Sequence, residues 1–129
     1  MKDEASVMES ALRSRIRDLH SVTANEFRCI LRFDADFAGF DGHFEGHPIV
    51  PGVCLIEAAR LIAEETLAEK LRTAAIPKCR FRRPILAGEE AAATVKASAA
   101  TESGIRMIQA EFRVSGAVSA QMRLEVEPA

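Results

Sequence analysis

The sequence predicts an α+β fold in which a set of antiparallel strands packs around one buried helix. Three observations predict it. Residues 52–71 contain no Gly or Pro after Gly52, and their first half is apolar nearly all round, which marks a helix inside a core rather than on a surface. The C-terminal half carries four stretches that alternate apolar and polar residues with period two. The segments between these stretches are short and rich in turn residues, which favours antiparallel neighbours over crossover connections.

A chain of 129 residues is long enough for one domain with a real core and short for two, so residues 1–129 are read as a single domain. Its 48% hydrophobic and 28% charged residues are a globular balance, and a net charge of -2 argues against a dedicated nucleic-acid binder. Cys29, Cys54 and Cys79 form an odd, widely spaced set without a CxxC pair, read as reduced thiols of a cytoplasmic protein. No apolar run reaches the roughly 18 residues of a membrane span, because Arg60, Glu64 and Glu65 interrupt the best candidate.

The elements follow in chain order. Over residues 4–19, Val7, Met8, Ala11, Leu12, Ile16 and Leu19 recur at helical spacing, predicting a peripheral amphipathic helix outside the main sheet. From Asn25 the period becomes two, with Phe27, Cys29, Leu31 and Phe33 on one face of a half-buried strand. Residues 34–51 hold three glycines and two prolines and read as a loop. Pro51 suits the first position of the helix over 52–71, where a missing N–H costs nothing. Strands are then expected over 76–83, 90–101 and 105–114, and from Val118 to Val126, with Ser103-Gly104 and Ser115-Gly116 turning the chain between the last three.

Chemistry concentrates in "GHFEGHPIVPGVCLIEAAR", residues 42–60. Glu57 lies within "LIEAA", where a buried carboxylate is costly unless paired or protonated. Two readings stand: an ion pair with Arg60 three residues on, or a working acid. His43 is a candidate base in a glycine-bracketed loop. Gly52 opens the helix, where an unpaired N–H at the positive end of the dipole suits an oxyanion. His43 and His47 do not make a metal site, since they flank a loop instead of sharing a helical face and lack a third ligand nearby. No serine sits in a Gly-x-Ser-x-Gly elbow, and no phosphate-binding loop is present.

With its His-Phe, Pro-Gly-Val and Glu-Ala elements, this segment resembles the active-site region of the β-hydroxyacyl-acyl carrier protein dehydratases, the FabA/FabZ family. His43 and Glu57 stand 14 positions apart (57 - 43), as that family's catalytic pair does, and "CRFRRPILAGE", residues 79–89, is similar to its second signature. The resemblance spans residues 23–126. It implies a hotdog fold, a curved antiparallel sheet wrapped around one long central helix, here with an extra N-terminal helix. It also implies a homodimer, or a higher oligomer built from dimers, with His43 of one subunit and Glu57 of the other in each site. Two departures stand out: Glu45 replaces the proline usual after His-Phe, and Leu61 stands where many members carry glutamine. The early strand typical of the family is replaced by the amphipathic helix and "LHSVTANEF".

The implied reaction is dehydration of a 3-hydroxyacyl thioester to the trans-2-enoyl thioester, in fatty-acid or related acyl-chain biosynthesis. His43 would take the C2 proton, Glu57 would protonate the C3 hydroxyl, and the Gly52 N–H would hold the thioester oxygen as enolate character builds. No metal or organic cofactor is required, because the thioester is itself the electron sink. An acidic acyl carrier protein would need a basic landing site, which Lys78, Arg80 and Arg82 with Arg83 could supply; the alternative for these cations is an ordinary solvated strand face. Rival functions are a hotdog thioesterase using Glu57 to activate water, and a non-catalytic dimer that binds acyl thioesters.

Overall fold

The computed structural model describes residues 4–40 and 48–129. Six strands form one antiparallel sheet: β1 Ile16–Ser21, β2 Glu26–Arg32, β3 Leu71–Phe81, β4 Glu90–Ala97, β5 Arg106–Val114 and β6 Ala117–Pro128, in the spatial order β1-β2-β4-β5-β6-β3. Helix α2, Gly52–Leu67, packs against one face of this sheet, and α1, Glu4–Arg13, packs against α2. The period-two residues are buried as their spacing requires: Phe27, Cys29 and Leu31 on β2, Ala91, Ala93 and Val95 on β4, Ile108 and Phe112 on β5, and Met122, Leu124 and Val126 on β6. Small alanines on β4 face the buried Ala58, Ala59 and Leu61 side of α2 within one core cluster. This is the helix wrapped by a sheet that the hotdog expectation requires.

Several boundaries differ from the sequence reading. The expected helix over 4–19 ends at Arg13, and the chain continues as β1 along the free edge of β2, Ile16 opposite Leu31 and Ser21 opposite Phe27. The spacing of Ile16 and Leu19 misled, because three positions is a helical interval. A register shift between Arg17 and His20, with Asp18 in the left-handed region at φ 55, turns both half-buried side chains to one side of a strand. Aspartate tolerates that conformation better than most residues. The sheet therefore has one strand more than the five expected.

The central helix stops at Leu67 rather than near 71. Ala68 adopts the left-handed conformation (φ 52, ψ 44) and returns its N–H to the Glu64 carbonyl, after which Leu71 is already buried in β3. Pro51 is the N-cap, one position before the expected first helical residue. β3 begins five residues earlier than predicted and holds Pro77, which an outer strand with register shifts on either side of Ala75 can carry. The hairpin at Ser115-Gly116 is confirmed, with both residues at positive φ (51 and 82) between paired Val114 and Ala117.

Within the expected loop, Ala38–Phe40 forms a short 3₁₀ helix. Phe33, Phe37 and Phe40 are buried and meet edge to face at 4.9 and 5.4 Å between ring centroids, with the Arg15 guanidinium 5.3 Å from the centre of the Phe37 ring. Past the loop, Ile49 bridges to Leu86 and the Val50 N–H donates to the Ile85 carbonyl at 2.8 Å, which fixes where α2 starts. Among the described residues, no helix is long and apolar enough to cross a membrane.

Candidate active site

The first turn of α2 lies at the floor of an apolar slot of about 500 Å³, lined among others by Val50, Gly52, Leu55, Phe81, Arg82 and Arg83. Phe81 leans over Gly52 so closely that a Cβ there would sit 2.5 Å from the ring's Cζ, so only glycine leaves room for this ring. The ring itself is half exposed. Helix geometry leaves the first N–H groups of α2 without intrahelical acceptors, and the Cys54 N–H turns back to the Pro51 carbonyl at 2.9 Å. A slot with an apolar wall, a helix N-terminus at its base and two arginines on its rim suits an acyl thioester whose oxygen takes charge during reaction.

Glu57 departs from expectation. Its neighbours Cys54, Leu55, Ala58 and Ala59 are buried, but its own side chain is 35% exposed and does not line the slot. It accepts hydrogen bonds from Arg60 Nη2 at 2.6 Å and Nε at 3.2 Å, so the ion pair weighed from the sequence is present. The reason is helical phase: residue 57 is turned about 200° from Leu55, which lines the slot, and so points away from it.

The buried acid of α2 is Glu64, at 8% exposure, in the second half of the helix. One of its oxygens accepts from Arg13 on α1, and the other from Arg60 Nη1 at 2.9 Å and from the Leu71 N–H at 2.8 Å. Arg60 also donates to the Leu71 carbonyl at 2.9 Å and lies 3.8 Å from Glu9. Burial pulls the Arg60 pKa down, but hydrogen bonds and charge from Glu57, with charge from Glu64 and Glu9, outweigh it and leave the pKa above the usual arginine value. The same balance raises Arg13: burial lowers its pKa, while Glu64 and Glu9 more than compensate. Arg60, four residues before Glu64, is its one local partner; the other two, Arg13 and the Leu71 N–H, lie 51 residues before it and seven after it, and no local pattern marks them.

The basic set divides. Lys78 and Arg80 are exposed on β3, opposite Arg123 and Gln121, on the sheet face away from α2. Lys78 there joins a second concavity, about 690 Å³, walled by Lys96, Gln109, Glu111, Arg113 and others. That trough is polar and remote from the helix N-terminus, so it does not compete with the slot as a place for an acyl thioester. Arg82 was expected to continue the outward face of Lys78 and Arg80, with Arg83 adjacent to it. Both lie past the end of β3, their two N–H groups sharing the Ser119 carbonyl at 2.8 and 3.2 Å, and this break in the ladder carries both to the slot. His43, with His47 and Glu45, lies outside the described residues.

The sequence profile of the ApeI-like family, described as ApeI dehydratase, matches residues 19–122. The 3-hydroxyacyl-[acyl-carrier-protein] dehydratase FabZ of Geobacter metallireducens is 30% identical over 128 residues, covering 92% of this chain and 77% of that protein. FabZ of a Polaromonas species is 31% identical, over 92% of this chain and 80% of its own. Among solved structures, the dehydratase heterocomplex ApeI:P from Xenorhabdus doucetiae superposes with a TM-score of 0.73 at 18% identity, over 87% of this chain and 96% of that one. The E. coli PaaI protein from a phenylacetic acid degradation operon gives 0.67 at 18% identity, over 96% and 89%. These structural likenesses bear on the fold, and the fold is the hotdog.

Proposed function

The chain belongs to the ApeI-like dehydratase family, within the wider FabZ-like hotdog group, and from that premise we propose how its own residues carry out dehydration of a 3-hydroxyacyl thioester. His43 removes the C2 proton, Glu57 delivers a proton to the departing C3 hydroxyl, and the N–H of Gly52 binds the thioester oxygen while the electrons of the C2–H bond form the new double bond. The observation that carries the role of Glu57 is its presentation. It is a half-exposed carboxylate on a helix segment whose flanking residues are buried, and so it faces whatever approaches α2 from outside the chain.

That same orientation supports a site shared between two subunits. Within one chain the acid does not line the slot, which opens at the helix start, and a second copy that brings its slot to the acid would complete the site. We take the assembly to be a homodimer, or a higher oligomer made of such dimers. The substrate carrier is an acyl carrier protein, as in the names of the FabZ relatives, with Arg82 and Arg83 at the slot rim receiving it and Lys78 and Arg80 lying farther out. Residues 1–129 act as one domain of the cytoplasm that uses no cofactor.

Incubation with a 3-hydroxyacyl thioester tests the reading against its rivals. Enoyl thioester, followed by its ultraviolet absorbance, is the expected product. Release of free thiol instead identifies a thioesterase, and binding without turnover identifies a carrier of acyl thioesters.

A further inference from the structure

The reach of Arg60 goes beyond a surface ion pair. Its side chain is only 13% exposed, and its guanidinium is held at the rear by two acceptors that cannot easily move: Oε2 of the buried Glu64 and the Leu71 carbonyl, each at 2.9 Å. Glu64 is in turn held by Arg13 of α1 through its other oxygen and by the Leu71 N–H at 2.8 Å. What remains of the guanidinium is one edge, Nε and Nη2, and it meets Oε2 of Glu57 at 3.2 and 2.6 Å. An ordinary exposed pair one helical turn apart gains little, because both long side chains must be frozen to form it. Here one partner is already frozen by burial and by its other bonds, so the fork ends in a fixed place.

We propose that Arg60 is the positioning residue of Glu57, and that α1 braces it through Arg13 and Glu64. The inference rests on the reading that Glu57 is the acid of the reaction. A half-exposed glutamate has three side-chain torsions, and among the described residues its side chain has hydrogen bonds to Arg60 alone. Without Arg60 it would sample many positions, few of them within proton-transfer distance of a bound hydroxyl. Arg60 touches no reacting atom and acts only through where it holds the carboxylate.

The test uses the full chain with Arg60→Ala, Arg60→Lys, Glu57→Gln and the double variant Arg60→Ala/Glu57→Gln, each checked for its thermal midpoint. Arg60→Ala should lower kcat by about tenfold to a hundredfold while KM stays within about twofold, the usual mark of a misplaced group in a site that still binds substrate. Arg60→Lys should recover part of that loss. Millimolar guanidinium chloride, against sodium chloride at equal ionic strength, should restore activity to Arg60→Ala and leave the double variant unmoved. A rescue that acts through folding would raise the thermal midpoint of Arg60→Ala along with its activity, whereas a rescue of positioning raises kcat at an unchanged midpoint. Wild-type kcat in Arg60→Ala, while Glu57→Gln is impaired, overturns the inference and spares the acid. Loss of activity in both Arg60 variants without rescue by guanidinium assigns Arg60 to stability and overturns it as well. Wild-type kcat in Glu57→Gln removes the acid reading, and the inference with it.

Discussion

Glu57 and Glu64 stand seven residues apart on one face of one helix and grip the same guanidinium, yet their surroundings are opposite. Glu57 is set among apolar neighbours in the sequence and is 35% exposed; Glu64, between Leu61-Ile62-Ala63 and Glu65-Thr66, is 8% exposed. Glu64 can be buried because it receives three hydrogen bonds, two from cations and one from a backbone N–H, which together offset the cost of leaving water. Glu57 receives only one edge of Arg60 and remains where a second molecule can reach it. The depth at which a carboxylate sits is thus decided by the donors brought to it and not by its neighbours in sequence.

If that contrast is right, the two acids fail in different ways. The largest effect should come from Glu64→Ala, which takes one acceptor from each of Arg13 and Arg60 and removes the acceptor of the Leu71 N–H. Breaking a buried pair of this kind costs about 3–5 kcal/mol, to be read from the shift in denaturant midpoint at constant slope. Glu57→Gln should change stability by less than about 1 kcal/mol, as expected for a partly exposed pair. Equal destabilisation by the two variants would erase the distinction.

Next in size, Glu57→Gln and His43→Ala should each lower turnover by about a hundredfold or more while the protein stays folded, which is the scale of a lost acid or base. When the two inactive variants are mixed under conditions of proven subunit exchange, part of the activity should return, because one of the two hybrid sites is intact. Failure to complement would put both groups in the site of a single chain.

Gly52→Ala keeps the N–H at the helix start but pushes against the Phe81 ring, at a cost of about 1–3 kcal/mol if the ring cannot yield. Since Phe81 is half exposed, the ring is expected to swing from the slot and KM to rise more than stability falls. Adding Phe81→Leu should return KM toward that of the parent. A smaller effect separates the rim of the slot from the outer sheet face. Reversing Arg82 and Arg83 to Glu should raise KM for a carrier-linked substrate in a salt-dependent way, on the scale of a changed steering field of about tenfold, and leave a short soluble thioester alone. Lys78→Glu, on the far face, should do less.

The smallest effect concerns the thiols. Burial pushes the Cys29 thiol up to about 12 and, aided by the charge of Glu57, the Cys54 thiol up to about 11. At pH 8 both are protonated as well as buried, so alkylation timed by mass spectrometry should reach Cys79 first, although burial raises Cys79 too. Early labelling of Cys54 would mean that the base of α2 opens more readily than its packing implies.

Much of this protein is determined by its sequence alone. Period-two alternation located β2, β4, β5 and β6, the largely apolar stretch without Gly or Pro after Gly52 located the buried helix, and the segment from Gly42 to Arg60 with "CRFRRPILAGE" identified the dehydratase group. Each of those signals is local: it records which face of an element meets the core, or the spacing of residues within one loop and helix. Only the tertiary structure decided that Ile16 and Leu19 belong to an added edge strand, because the bulge at Asp18 makes a strand resemble a helix in its spacing. It alone turned Arg82 and Arg83 to the slot, through a shared carbonyl on a neighbouring strand. It alone exchanged the fates of the two glutamates, because Arg13 reaches Glu64 across 51 residues of chain, and the energy of a buried charge depends on such partners rather than on the residues beside it.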